Sequence, residues 1–394
     1  MANPVQQGPT RRMILRTGGA AVLVTVAAGA VLGGTAWWPG EASASEPWRT
    51  AGQGFGDVRL DVLSYAILAP NPHNRQPWRY TLVGADQVDV TCDLDRRLPE
   101  TDPYDRQITI GFGCMLELLR MAAASRGYRA DIVAFPDGEP TPRLDEKRVA
   151  TVRFVADAAL DGVGARDPLA GHILERRSTK TPYDAARPVA AATLARLLAV
   201  GGGGSVEVGN VARLRDLTWA AWRVEWETAR TRAESINLMR IGNAEIAANP
   251  DGISLGGTVM GLGGLVGIVS RETLDDPDSS AFAQSAARFE PIIKSAQGHV
   301  WIISLSSSRA EQLEAGRKWV RVNLMAQSMG LAIHPLSQAL QEFPEMAAHY
   351  AAVHDALGAG AGEVVQMLAR IGYADFPEPT PRWPMRSHLA NQGG

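Results

Sequence analysis

Cysteine is nearly absent from this 394-residue chain: Cys92 and Cys114 are the only two, neither in a CxxC pair nor beside paired histidines. Zinc ribbons, iron–sulfur clusters and disulfide scaffolds are therefore excluded, with a single Cys92–Cys114 bridge left open. Lysine is scarce as well. It occurs at four positions, Lys147, Lys180, Lys294 and Lys318, so arginine supplies 35 of the 39 basic residues. Positive charge is not in excess: the formal net charge is −3 and the pI about 6.2, which leaves no bulk field to condense onto nucleic-acid phosphates. No nucleic acid is expected as a partner. What is present is ordinary for a folded chain, 45% apolar and 21% charged residues, and the length suggests two or three domains or one duplicated architecture.

The N-terminus reads as an address. Arg11-Arg12-Met13-Ile14-Leu15-Arg16 precedes Thr17 to Gly40, a stretch without a charged residue, and Ala42-Ser43-Ala44 follows. This is the order of an n-region, an h-region and an A-x-A cleavage site. The paired arginines resemble a twin-arginine (Tat) signal, the bacterial route for proteins exported already folded. About 20 apolar residues suffice to span a bilayer, so cleavage and retention as a membrane tether both stay open for residues 1–44. Either outcome implies the Tat machinery as a partner and a periplasmic or cell-envelope location.

Beyond the signal, apolar spacing predicts an α+β chain. Helices are expected over Asp57 to Ala69, stopped by Pro70, and over Ile108 to Arg126 with Gly127 as cap. Strands are expected over Trp78 to Val83, Val88 to Cys92, Asp131 to Phe135 and Val149 to Val155. Asp167-Pro168 opens a helix to Arg177, and further helices cover 190–199, 211–228 and 232–248, with Gly201 to Gly204 as a loop. The strand His299 to Ser304 leads to a capping box at Ser308-Arg309-Ala310-Glu311 and a helix to about Met329; Val364 to Gly372 is a late strand. The halves echo one another in element order, without a residue-level repeat.

Chemical content gathers in three clusters. Asn71-Pro72-His73-Asn74-Arg75-Gln76-Pro77-Trp78 is a proline-locked turn whose fixed amides suit hydrogen bonding to a planar heterocycle; an ordinary helix-to-strand connection is the plainer reading. Glu175-Arg176-Arg177-Ser178-Thr179-Lys180, at an expected helix end, concentrates cationic and hydroxyl donors into an anion site or forms a solvated basic face. Pro381-Arg382-Trp383-Pro384-Met385-Arg386 stiffens two arginines in a late extended segment or is a frayed terminus.

Together these clusters resemble the nitroreductase superfamily of flavin mononucleotide (FMN) enzymes. Asn74-Arg75-Gln76-Pro77-Trp78 matches its N-x-Q-P-W turn, Arg176, Ser178 and Lys180 its R-x-S-x-K phosphate motif, and Arg382 its late Arg segment. The turn precedes the phosphate motif, as in the Acg-like branch, whose fused halves imitate a dimer within one chain. Gly316-Arg317 to Met329 and Gly330 to Gln338 also resemble that branch. The resemblance implies a two-lobed α+β fold with a single FMN between the lobes, a first half over 45–160 and a second over 161–394. About 350 residues remain after the signal, the size of two nitroreductase-like protomers. Arg176, Ser178 and Arg382 would hold the phosphate, with Arg386 assisting. Lys180 would favour the anionic reduced flavin; Asn71, Pro72, Asn74 and Gln76 would fix the other edge or the ribityl chain, and backbone at Ser337 and Gln338 would lie near N5. Ser337-Gln338 stands where family members often carry Glu-Gly.

The activity implied is passage of hydride or electrons from a small-molecule donor to a small acceptor such as a nitroaromatic or quinone. Pyridine nucleotides are scarce outside the cytoplasm, so a membrane quinol is an alternative donor, and flavin sequestration or sensing without turnover is the alternative function. Trp219, Trp222 and Trp226 read as a buried helical face. Gly261 to Gly267 misses the G-x-G-x-x-G pattern. The segment around 250–275 is expected to be a lid over the flavin or an interdomain loop. His73 and His334 flank the expected site as ligand neighbours or as turn and core histidines.

Overall fold

The computed structural model describes residues 44–160, 167–256 and 270–390. The expected signal, apart from Ala44, lies outside these residues, as do Gly261 to Gly267 and the middle of the expected lid.

Helix α1 (Glu46–Thr50) and α2 (Val58–Ala66) open the described chain; Asp57 caps α2 by accepting from the Arg59 N–H at 2.9 Å. Strands β1 (Trp78–Val83) and β2 (Gln87–Cys92) form a hairpin, helix α3 (Arg106–Ala124) crosses over, and β3 (Tyr128–Ala134) and β4 (Arg148–Ala156) complete an antiparallel sheet in the order β1-β2-β4-β3. The second half begins with α4 (Ala191–Leu197) and β5 (Gly203–Ser205), followed by α5 (Val208–Glu227), α6 (Ala229–Asn237), β6 (Met239–Ile241), α7 (Gly242–Ala248), β7 (Ile253–Leu255), α8 (Arg271–Asp275) and α9 (Ser280–Lys294). Strand β8 (Gly298–Ser304), helix α10 (Arg309–Ser328), β9 (Ala332–Pro335), α11 (Ala347–Ala356) and β10 (Val364–Gly372) follow, and the second sheet runs β5-β8-β10-β9, again antiparallel.

The two sheets therefore share one topology. Each has two strands, a long crossover helix and two more strands, with the last strand inserted beside the second. The crossover helices α3 and α10 pack on each other, and their approach depends on two glycines. A Cβ on Gly113 would lie 2.0 Å from the Leu313 carbonyl oxygen, and one on Gly316 would lie 2.0 Å from that of Ile110. The contact is reciprocal, as between the halves of a symmetric dimer. One apolar core runs through both halves, from Leu63, Trp78 and Phe112 to Trp319, Val320 and Ile371.

Three expectations need correction. The helix expected from Asp167-Pro168 to Arg177 is only a 3-10 turn over Pro168–His172, so the basic cluster lies on irregular chain rather than at a helix end. The helix expected over 232–248 is split by β6, which pairs in parallel with β7. The Gly201 to Gly204 run is not wholly loop. Gly203 and Gly204 enter β5 against β8, and a Cβ on Gly203 would lie 2.3 Å from the Trp301 indole nitrogen. The tryptophan row on α5 packs as expected, Trp219 on Trp222 at 5.2 Å and Trp222 on Trp226 at 5.7 Å between ring centroids, with Phe282 and Phe289 of α9 against it.

Candidate functional site

The proline turn is strained and braced by its amide side chains. His73, Asn74 and Gln76 all take positive φ, 46°, 52° and 51°, a region that costs a non-glycine residue on the order of 1 kcal/mol. Hydrogen bonds hold them there. Asn71 Oδ1 accepts from the Gln76 N–H at 2.7 Å, and Pro72 begins the 3-10 turn between them. Gln76 has no exposed surface: its Nε2 donates to the Pro250 carbonyl at 2.8 Å, and its Oε1 accepts from the Trp383 N–H at 2.9 Å. Asn74 accepts from Arg382 Nη1 at 2.6 Å and donates to the Pro381 carbonyl at 3.0 Å. The turn thus joins the chain before the expected lid to the C-terminal segment. The Asn74 and Gln76 side-chain amides are therefore engaged within the protein, where they brace the turn.

The basic loop is the opposite. Arg176 and Arg382 are 3% and 2% exposed, both donate to the Leu68 carbonyl, and among the described residues neither meets a carboxylate. Arg382 also donates to the Ile67 and Ala69 carbonyls at 3.0 and 3.2 Å, whereas Arg176 Nε is buried without a partner. Burial lowers the Arg176 pKa to about 10, with Arg177 adding to the effect; burial, then Arg176 and Arg177, push Arg382 well down. Unmatched buried cations are costly, and an anion bound at this cluster would offset that cost.

Trp48 of α1 roofs the cluster. Its ring lies 5.8, 5.1 and 5.4 Å from the guanidinium carbons of Arg176, Arg177 and Arg382, and its indole N–H donates to the Thr380 carbonyl at 2.8 Å. Nothing in the sequence singled Trp48 out beyond its place just after the expected signal.

Lys180 is exposed, yet burial among protein atoms lowers its pKa; accessibility together with desolvation puts the ammonium in a recess rather than on the outer surface. The recess is electropositive. Burial, then Lys180 and Arg75, take His73 down to about 4, and burial, then Arg370 and Lys180, depress His334. His73 Nδ1 and Thr179 Oγ1 are buried without partners. Ser178 is half-buried beside them in the loop, and Ser337 and Gln338, also half-buried, follow β9 at the start of a 3-10 turn. Arg386 lies apart from this cluster: it is exposed, stacked 5.9 Å over Phe55, and the charges acting on Arg382 do not include it.

Sequence reasoning also missed Arg370, fully buried on β10. It donates to the Thr179 and Thr181 carbonyls at 3.1 and 2.9 Å, fixing the backbone on both sides of Lys180. A lone arginine in the apolar run Val364 to Gly372 was the available signal.

With this geometry in view, similarity to known proteins takes on meaning. A Mycobacterium tuberculosis protein provisionally named an NAD(P)H nitroreductase is 27% identical over 336 residues, covering 82% of this chain and 88% of its own. A second, provisionally named NAD(P)H nitroreductase acg, is 33% identical over 128 residues, 32% of this chain and 36% of its own. These relatives support the nitroreductase resemblance. No family model matches the chain. Among solved structures, the FMN-dependent nitroreductase NfnB of Mycobacterium smegmatis in complex with NADPH is 14% identical at a TM-score of 0.33, covering 56% of this chain and 96% of that one. A nitroreductase-like structure from Anabaena variabilis is 12% identical at 0.39, covering 73% and 69%. Both likenesses are too loose to bear on the site.

Proposed function

We propose that this chain is an exported FMN-binding oxidoreductase of the nitroreductase type, with the flavin held where the basic loop of the second half meets the proline turn of the first. One observation carries the reading: Arg176 and Arg382 are buried side by side, and among the described residues no carboxylate neutralises them and Arg176 Nε has no partner. A phosphate dianion fits that deficit through charge-assisted hydrogen bonds, with the Ser178 hydroxyl within the same loop. Lys180 faces the recess, where an ammonium favours an anionic, acceptor-rich ring edge. When bound, the flavin supplies hydride or one-electron transfer; the protein supplies charge, orientation and cover. The acceptor is a small molecule such as a nitroaromatic or quinone, and the donor a pyridine nucleotide or a quinol.

A second reading, sequestration of flavin without turnover, is favoured by the Trp48 roof, which leaves the guanidinium cluster almost no exposed surface. Purified full-length protein separates the two. Turnover predicts flavin absorbance that NADH, NADPH or a quinol bleaches anaerobically; sequestration predicts flavin absorbance that none of them bleaches. Protein that neither carries flavin nor binds added FMN sinks both.

Export by the Tat route rests on the paired arginines, and the fold bears on processing. Ala44 is buried, and its carbonyl accepts from the Arg382 N–H at 2.9 Å. Cleavage needs an accessible, locally unfolded strand, so the bond after Ala44 is protected once the domain has folded. We read the N-terminal segment as retained, tethering the protein to the membrane. N-terminal sequencing of protein from a Tat-competent host tests this; a mature chain beginning at Ser45 in the soluble fraction refutes it.

A further inference from the structure

Arg370 does more than brace the loop that carries Lys180. It stands directly across from His334 in the β9–β10 register, and its Nε donates to His334 Nδ1 at 2.9 Å. A guanidinium only donates, so Nδ1 must keep its lone pair and the imidazole proton must sit on Nε2. A doubly protonated ring would set N–H against N–H. The guanidinium itself is immobile: its Nη2 is bound by the Thr179 and Thr181 carbonyls, its Nη1 donates to Ser295 Oγ at 3.2 Å, and the Tyr183 ring lies 3.8 Å from its centre. Loop and strand are also tied directly, the Thr179 N–H donating to the Ile333 carbonyl at 3.0 Å.

One buried arginine therefore fixes two features at once, the backbone on both sides of Lys180 and the tautomer of His334. No described group engages His334 Nε2, and the residue is 7% exposed. The charges acting on the ring are Arg370 and Lys180, with no carboxylate among them, so the imidazole stays neutral.

We propose that His334 is a ligand-facing hydrogen-bond donor of the recess, locked as the Nε2–H tautomer by Arg370, and that it pairs with Lys180 to bind the carbonyl-bearing edge of a planar heterocycle. This deepens the flavin reading and rests on it for the identity of the heterocycle. An ammonium beside a neutral N–H matches an acylamidine-like edge, where a carbonyl and an adjacent unprotonated ring nitrogen both accept. His334 would then be a binding residue and Arg370 a positioning residue that acts through it.

The test has two arms. In the first, long-range proton–nitrogen NMR of 15N-histidine-labelled full-length protein reads the tautomer without any ligand. One histidine is expected as neutral Nε2–H from pH 7 to pH 5, its signals absent from His334→Gln and its tautomer lost in Arg370→Lys. A protonated or Nδ1–H ring at His334 overturns the lock. In the second arm, FMN affinity by fluorescence quenching should fall about tenfold in His334→Leu and stay within about threefold of wild type in His334→Gln, whose amide N–H replaces the donor. The flavin midpoint potential should move with the donor, lower in the leucine variant than in the glutamine one. Equal affinities in both variants and wild type overturn the ligand-facing role. A wild-type chain that binds no FMN overturns the flavin reading and the ligand assignment together, while the NMR arm still decides the lock.

Discussion

The proline turn of the first half and the basic loop of the second are both partly buried, polar and irregular, but they handle their polar atoms in opposite ways. In the turn, Asn71, Asn74 and Gln76 bond to backbone and to Arg382, and those bonds hold Asn74 and Gln76 at positive φ, leaving His73 Nδ1 without a partner among the described residues. In the loop, Arg176 keeps an unpartnered Nε, Thr179 an unpartnered hydroxyl, and Lys180 no carboxylate. A buried polar group that is satisfied stabilises the fold, whereas one left unmatched costs free energy until something binds. The Asn74 and Gln76 amides thus serve the scaffold, and under the proposed function the Arg176 to Lys180 loop is the side that meets the ligand.

The largest expected effect tests whether the halves act as one body. Gly316→Val would drive a side chain into the Ile110 carbonyl across the α3–α10 contact, and overpacking at backbone contact should cost more than about 3 kcal/mol. Chemical denaturation reads this. A variant with wild-type stability would mean that the helices separate freely and that the shared core is not what joins the halves.

Next come paired substitutions that divide scaffold from ligand-facing groups. Arg176→Ala should weaken FMN binding about 100-fold, the loss of a charge-assisted contact, while leaving the melting temperature of ligand-free protein unchanged or raised, because a buried like charge beside Arg382 is removed. Gln76→Ala should do the reverse. It strands the Trp383 N–H and the Pro250 carbonyl, costing about 2 kcal/mol of stability with little change in affinity per folded molecule. If both variants lose affinity equally with no difference in stability, the division fails.

How far the sequence revealed this division depends on the range of the interactions involved. Pro70 as a stop, Gly127 as a cap, the β1–β2 hairpin and the α10 cap at Ser308 are local signals, and each element formed within a few residues of expectation. The second half was less legible because its partners are distant. Strand β6 exists only by pairing with β7, and the β5 glycines are needed because Trp301 lies over Gly203 and Leu194 over Gly204. Motif residues were visible, but their roles were not: whether Gln76 faces a ligand or braces a turn depends on Pro250 and Trp383, far away in sequence. Arg370 and Trp48 carry no motif, and only the fold brings them to Lys180 and Arg176.

A pH series sharpens the contrast between core and site. His299 is fully buried on β8, and burial, then Arg215 and Arg370, lower its pKa to about 3. Its folded pKa lies below the unfolded value of about 6.5, so the unfolded state binds more protons between those limits, and stability must fall as pH drops through about 6.5 toward 3. At pH 4.5 this one ring should cost about 2 kcal/mol relative to pH 7. His299→Gln should flatten that part of the profile whether or not FMN is bound, since the ring belongs to the core. His73, lowered to about 4 beside Lys180, should differ: a bound anion offsets the neighbouring positive charge and raises its pKa, so FMN should reduce its share of the acid loss. A profile that His73→Gln leaves identical with and without FMN would remove His73 from the recess.

The smallest effect is expected at Arg386, which the motif pattern groups with Arg382. Both arginines sit in the same proline-stiffened segment, four residues apart, yet Arg382 is buried against Asn74 and the Ile67 to Ala69 carbonyls while Arg386 is exposed over Phe55. An exposed cation stacked on one ring contributes about 0.5–1 kcal/mol and is screened by solvent. Arg386→Ala should therefore leave FMN affinity within about twofold of wild type, and raising the salt concentration should erase even that difference. A loss comparable to that of Arg176→Ala would show that Arg386 swings into the anion site when the ligand arrives, and that the boundary between unmatched and satisfied groups shifts on binding.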